Sequence, residues 1–308
     1  MENITTLIKQ TINKIENTNH RKNHLTGVPS GLTELDIITS GWQKSELIII
    51  GARPAVGKTA LALSIARNAA IDYSKSVAVF SLNETAIQLT TRLLSIESEI
   101  STYKLKKEVI DEFDLKQFNS KIKKLAKASL FIDDTPHMLV SEMRIKILKL
   151  KEKQNIDLII IENLDEIKDD LPIKRSRTQE VSSITSSLKA LAEELNVPII
   201  IFTQLNRSVE KNENYIPSTI DIPHYKGITR NASTIMFLHR QEYYGIEVDE
   251  KGNSTKGVAE LIIVQQDNEF CFDTVVKLKY EPMRCYFSDY INEKETRKHS
   301  KKQKTRKV

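Results

Sequence analysis

Leu47-Ile48-Ile49-Ile50-Gly51-Ala52-Arg53-Pro54-Ala55-Val56-Gly57-Lys58-Thr59 is the stretch on which the fold turns. Its apolar run reads as a buried strand, and Leu61 to Ala70 (LALSIARNAA) reads as the helix that follows. Between them lies a phosphate loop of the form A-x-x-x-x-G-K-T, with Ala52 at the position usually held by the first glycine. Such a loop turns successive backbone N–H groups inward, and the helix N-terminus adds partial positive charge. Residues 52–60 (Ala52, Arg53, Pro54, Ala55, Val56, Gly57, Lys58, Thr59 and Ala60) are therefore expected to form a nucleoside-triphosphate cradle. Lys58 would reach the β- and γ-phosphates, and Thr59 would offer its hydroxyl to Mg²⁺.

Outward from this loop, apolar runs and helical stretches alternate. Strands are expected at 76–82, 129–132, 157–161 and 197–203, and helices at 86–96, 103–128, 141–153 and 182–195. Ser141 is the expected N-cap of the third helix. Strands at 233–239, 258–266 and 273–280 close the chain, the last two as a hairpin through Asn268. This order implies an α/β fold with a mostly parallel central sheet and antiparallel C-terminal strands. Gly27 to Gly41 reads as turns leading into the first strand. Near the N-terminus, Ile4, Leu7, Ile8, Ile12 and Ile15 fall at helical spacing and form an apolar stripe that one helix cannot bury alone. A polar linker follows at 17–23.

With 308 residues, 40% of them hydrophobic, the chain can bury a full core. No run is long enough for a membrane span, and the polar N-terminus does not read as a signal peptide. Two cysteines, Cys271 and Cys285, lack metal or disulfide spacing and suit a reducing cytosol. Charge is uneven: eight Lys/Arg and one Glu in residues 294–308 give that tail +7, leaving residues 1–293 at −2 of the total +5. The tail reads as a disordered end or a nucleic-acid contact.

The ordered motifs resemble the C-terminal motor domain of DnaB-type replicative DNA helicases. The resemblance rests on Gly27-Val28-Pro29-Ser30-Gly31, the phosphate loop with Arg53-Pro54, Ser81-Leu82, Arg92 and Ile132-Asp133-Asp134-Thr135-Pro136. It continues through Gln179-Glu180-Val181-Ser182, Ser187 to Ala192, Gln204-Leu205 with Arg207, and Gly252 to Gly257. It implies a RecA-like ATP-binding domain over 25–290, preceded by a linker-type helix and polar linker over 1–24 and followed by a basic tail over 291–308. It further implies ATP and Mg²⁺ as cofactors, 5′–3′ helicase activity on single-stranded DNA, a hexameric ring and a bacterial cytoplasmic, nucleoid-associated setting without a membrane. The family's N-terminal domain is not in the sequence. Gln204 would sense the γ-phosphate, Arg92 would line the nucleotide site, and Glu162 with Thr59 would hold the metal. Arg207, His224 and Lys226 would face DNA.

Departures from the family pattern fall where chemistry is expected. The general base of the family stands at the position of Asn83, which cannot take a proton. Glu84 is adjacent, and serves only if the strand ends early and the turn re-aims it, because neighbouring residues of a strand face opposite ways. Glu162 replaces an aspartate, moving the carboxylate by about 1 Å or more, and Asp165 replaces a glutamine. Family Lys-Gln-Arg reads Gln265-Gln266-Asp267, removing an arginine finger, which is worth about 10³–10⁵ in rate in other NTPases. Pro223 replaces a phosphate-contacting arginine. The sequence thus predicts retained nucleotide binding with degraded hydrolysis and DNA coupling. The alternative is a non-catalytic paralogue that modulates, loads or caps an intact helicase ring.

Overall fold

The computed structural model describes residues 3–9, 12, 25–107, 109–170, 176–266 and 269–291, of which 269–273 are described by backbone alone. Among the described residues nine strands form one sheet: β1 (Leu47–Ala52), β2 (Val77–Ser81), β3 (Leu130–Asp133), β4 (Leu158–Glu162), β5 (Ile199–Gln204), β6 (Thr234–His239), β7 (Val258–Gln266), β8 (Glu269–Glu281) and β9 (Tyr286–Asp289). Their order is β3-β2-β4-β5-β1-β6-β7-β8-β9. Strands β1 to β6 pair in parallel, and β7, β8 and β9 add antiparallel neighbours, as the sequence pattern implies.

The difference between the two halves follows from side-chain pattern. Every residue of β1, β2, β4 and β6 is buried, because helices cover both faces of a parallel sheet. Strand β7 alternates half-buried with buried positions, leaving one face open. One core layer, including Ile48, Ile50, Leu61, Ile65, Phe202 and Phe287, packs under α2 (Lys58–Arg67) and α3 (Ala86–Ser98). The other, including Ile49, Ile159, Ile201, Leu188 and Phe237, lies under α6 (Val140–Lys153) and α7 (Arg177–Leu195).

Several boundaries depart from the sequence reading. The stretch expected as one helix over 103–128 is two, α4 (Thr102–Lys106) and α5 (Glu112–Lys127). Asp111 starts the second by accepting the N–H of Asp114 at 2.7 Å. Ser141 is not an N-cap: α6 begins at Val140, and the Ser141 hydroxyl donates to Asp170 at 2.6 Å. The turn-rich segment before β1 holds a short helix, α1 (Thr33–Thr39), and strand β9 has no counterpart in the sequence reading. Near the N-terminus, residues 4–9 are helical, with Ile4, Leu7, Ile8 and Ile12 exposed. Ile15, the polar linker at 17–23, Asp267, Asn268 and the tail beyond 291 lie outside the described residues.

Strand β9 positions the phosphate loop. Phe287 is fully buried, its N–H donates to Ser64 Oγ of α2 at 2.9 Å, and its ring lies 4.7 Å from that of Tyr280. Gly57 carries φ +121, and a Cβ there would meet Phe287 Cζ at 2.9 Å. Phe287→Ala is expected to cost about 3–5 kcal/mol of stability, measured by denaturant unfolding, and to weaken nucleotide binding in parallel by loosening the bed under Gly57.

Candidate functional site: a nucleotide site at the carboxyl ends of the parallel strands

In open α/β sheets, ligands sit outside the carboxyl ends of the parallel strands. Here those ends are Ala52, Ser81, Glu162 and Gln204, aligned by the registers Ala52↔Gln204 and Ser81↔Glu162. The chain leaves β1 through a tight loop in which Ala55 (φ +61) and Gly57 take left-handed conformations, then enters α2 at Lys58. Ala52, Val56 and Ala60 are buried, so they serve the cradle through their backbone. Pro54 is half-buried and Ala55 is the exposed residue of the loop.

The side chains that matter chemically meet at Thr59. Its hydroxyl donates to Glu162 Oε1 and lies 3.3 Å from Glu84 Oε1. The other Glu84 oxygen accepts from Arg92 Nη2 at 2.6 Å. Glu84 reaches this position because β2 stops at Ser81. The Ser81 hydroxyl donates to the Glu84 carbonyl at 2.7 Å, folding Leu82–Glu84 into a turn. Asn83 is left exposed. The condition set by the sequence is therefore met: the turn re-aims the acid one residue beyond the expected base. Arg92 is committed to Glu84 and orients it.

Burial of two carboxylates and a lysine strains the charges here. Desolvation raises Glu162 to about 7, against the pull of the Thr59 hydroxyl, and the charge of Glu84 adds to the rise. Burial also depresses Lys58, opposed by Glu162 and Asp165. Asp165 is thus part of the site. Burial raises it, while the backbone N–H of Gln204 and the charges of Arg177 and Lys58 lower it. Asn163, in the left-handed region at φ +81, makes the sharp turn after β4 that delivers Asp165.

A hydroxyl and two carboxylates facing a phosphate loop fit a magnesium ion, which typically takes one or two carboxylates plus phosphate and water oxygens. Among the described residues no group of three or more His/Cys/Asp/Glu side chains is placed to hold a metal ion.

Other expected residues fall elsewhere. Arg53 does not face the phosphates. Its guanidinium donates to the Leu205 carbonyl at 2.9 Å and pairs with Glu210 at 2.7 Å, so only its backbone serves the loop. A second arginine, Arg240, which no sequence motif marks, donates to the Val56 carbonyl at 3.1 Å and stacks over Tyr280. Gln204 is exposed beside the loop. Arg207 and Lys226 are exposed on the segment after β5, whereas His224 is half-buried with Nδ1 2.9 Å from Thr178 Oγ1. Gln265 is buried and donates to the Ala232 carbonyl at 2.8 Å, turned into its own core.

Comparison with known proteins agrees with this geometry. The family model described as DnaB-like helicase C terminal domain matches residues 27–289. The replicative DNA helicase DnaB of Geobacillus stearothermophilus is 41% identical over 267 residues, covering 87% of this chain and 58% of that protein. The replicative DNA helicase DnaC of Bacillus subtilis (strain 168) is 40% identical over the same share of each. The chain therefore spans 58% of the length of these relatives. Among solved structures, one described as an ATPase domain superposes with a TM-score of 0.84 at 27% identity, over 94% of this chain and all of that one. A DnaB-like replicative helicase, described with its interactions with primase, gives 0.82 at 27% identity, over 94% of this chain and 68% of that one.

Because its folded value is raised, Glu162 is favourable to the fold when protonated and costs stability once ionised. That cost grows from about pH 4.5 through about 7. Glu162→Gln is expected to match the unmutated protein near pH 5 and exceed it by on the order of 3 kcal/mol above pH 8, without nucleotide. Thermal unfolding across pH checks this, and a constant offset between the two proteins would contradict it.

Proposed function

Since the chain belongs to the family of DnaB-like helicase C-terminal domains, we propose that it is an ATP-driven motor domain for DNA replication. It acts on single-stranded DNA as part of a six-membered ring in the bacterial cytoplasm. The observation that carries a working motor, rather than a purely nucleotide-holding one, is Glu84 at the Thr59 hydroxyl.

The roles follow from position. Backbone N–H groups of Arg53 and residues 55–58 cradle the phosphates, and Lys58 adds a charge-assisted contact. Thr59 and Glu162 would hold Mg²⁺, which supplies charge neutralisation at the phosphate oxygens. Glu84, oriented by Arg92, accepts the proton of the attacking water. Gln204 flanks the loop where the γ-phosphate would end. No helix of the described residues is long and apolar enough to cross a membrane.

Contacts between subunits are the weaker half. Gln265 is committed to its own core, and neither Gln265 nor Asp267 can place a cation on a neighbour's phosphates. Turnover by this chain alone is therefore slow. The same observation supports a second reading, in which the chain joins a mixed ring whose intact subunits supply the missing cation.

Mg-ATP at millimolar concentration is expected to raise the thermal midpoint, and Lys58→Ala to abolish the rise. Absence of a shift in the unmutated protein contradicts the assignment. Removing residues 1–20, which carry the exposed stripe of Ile4, Leu7, Ile8 and Ile12, should convert a ring to a folded monomer on size exclusion. An unchanged oligomer would exclude that helix as the assembly element. Asp267→Arg is expected to raise DNA-stimulated turnover, measured as steady-state ATP hydrolysis with and without single-stranded DNA.

A further inference from the structure

Arg53 lies in the phosphate loop. It stands one position after β1, is 8% exposed, and points away from the site it belongs to. Its two terminal nitrogens are fastened to the segment after β5. One binds the Leu205 carbonyl and the other the carboxylate of Glu210, while Nε has no partner. A guanidinium with two fixed acceptors is a rigid fork, not a loose point charge.

Glu210 sits in a short helical turn, Arg207–Lys211, whose Val209 is fully buried. That turn is knotted to everything up to residue 221 through one carboxylate. Asp221 is fully buried. It accepts from Ser208 Oγ at 2.6 Å, Asn212 Nδ2 at 2.8 Å, Ser218 Oγ at 2.8 Å and the Ser218 N–H at 2.9 Å. Its own carbonyl accepts the Asn206 N–H at 2.8 Å. A stack of Tyr215 on Tyr244, with centroids 4.6 Å apart and planes 2° from parallel, pins the far side. Residues 206–221 are thus tied together through Asp221, and His224 and Lys226 follow closely in sequence.

We propose that the Arg53–Glu210 pair is a positioning link, through which closure of the phosphate loop on its nucleotide sets the place of segment 206–226. Closing the loop backbone displaces the Cα of Arg53, and a fork with fixed acceptors carries that displacement into the Asp221 knot. Neither Glu210 nor Asp221 touches the nucleotide site. This rests on the ATP- and DNA-binding reading above, and makes Arg53 the element that joins the two.

The test compares the full chain with Glu210→Ala and Glu210→Leu, each with and without a non-hydrolysable Mg-ATP analogue. Three quantities are read: the nucleotide-induced thermal shift, hydrogen exchange of amides 206–222, and affinity for a fluorescent oligo-dT strand. In the unmutated protein the analogue is expected to change exchange in 206–222 and to alter oligo-dT affinity by at least about fivefold. In both Glu210 variants the thermal shift should remain while the exchange change disappears and the affinity ratio falls to about one. Variants that keep the full exchange change and affinity ratio overturn the link, as does unmutated protein that binds the analogue without altering 206–222. Loss of the nucleotide shift in the unmutated protein instead overturns the functional reading itself. Should the alanine variant unfold, the leucine variant, which also lacks an acceptor for Arg53, carries the comparison.

Discussion

The site turns on one threonine hydroxyl held among charged side chains that the fold draws out of water. The Thr59 hydroxyl donates to buried Glu162 and touches half-buried Glu84, beside Lys58. Desolvation drives Glu162 up to about 7 and Lys58 down. Holding these groups at the carboxyl ends of the strands costs stability, and hydrophobic burial on both faces of the parallel strands offsets the loss.

Position of the acid is then a matter of where a strand ends. Had β2 run on through residue 84, residues 83 and 84 would alternate faces and Glu84 would point from the site. Ser81 stops the strand by bonding its hydroxyl to the Glu84 carbonyl. With the turn in place, Glu84 lies at the Thr59 hydroxyl and Asn83 is exposed.

Much of this is legible in the sequence. A run of four consecutive apolar residues before Gly51, and Gly57-Lys58-Thr59 after it, mark strand, loop and helix together, and the alternation beyond marks the parallel sheet with its antiparallel end. What cannot be read depends on distant contacts. Arg53 looks like a phosphate ligand because it lies in the loop. Its direction is set by a carbonyl and a carboxylate about 150 residues later, contributed by Leu205 and Glu210. Asp165 looks like a lost glutamine, yet the turn at Asn163 brings it into the field of Lys58. The break between α4 and α5 has no glycine or proline to announce it; Asp111 ahead of Glu112 and Asp114 is the available signal. Strand β9 is four residues long, too short for a pattern, but it supplies the Phe287 bed beneath Gly57.

Glu84 as the base is the central claim, and steady-state ATP hydrolysis in the presence of single-stranded DNA tests it most directly. Glu84→Gln keeps the shape and most of the hydrogen bonding to Thr59 and Arg92, but cannot accept a proton. The account predicts that it lowers turnover by about 10²-fold or more with nucleotide binding intact, whereas Asn83→Ala leaves turnover unchanged. Equal activity in Glu84→Gln and unmutated protein would contradict it, as would no hydrolysis in the unmutated protein under conditions where it binds Mg-ATP.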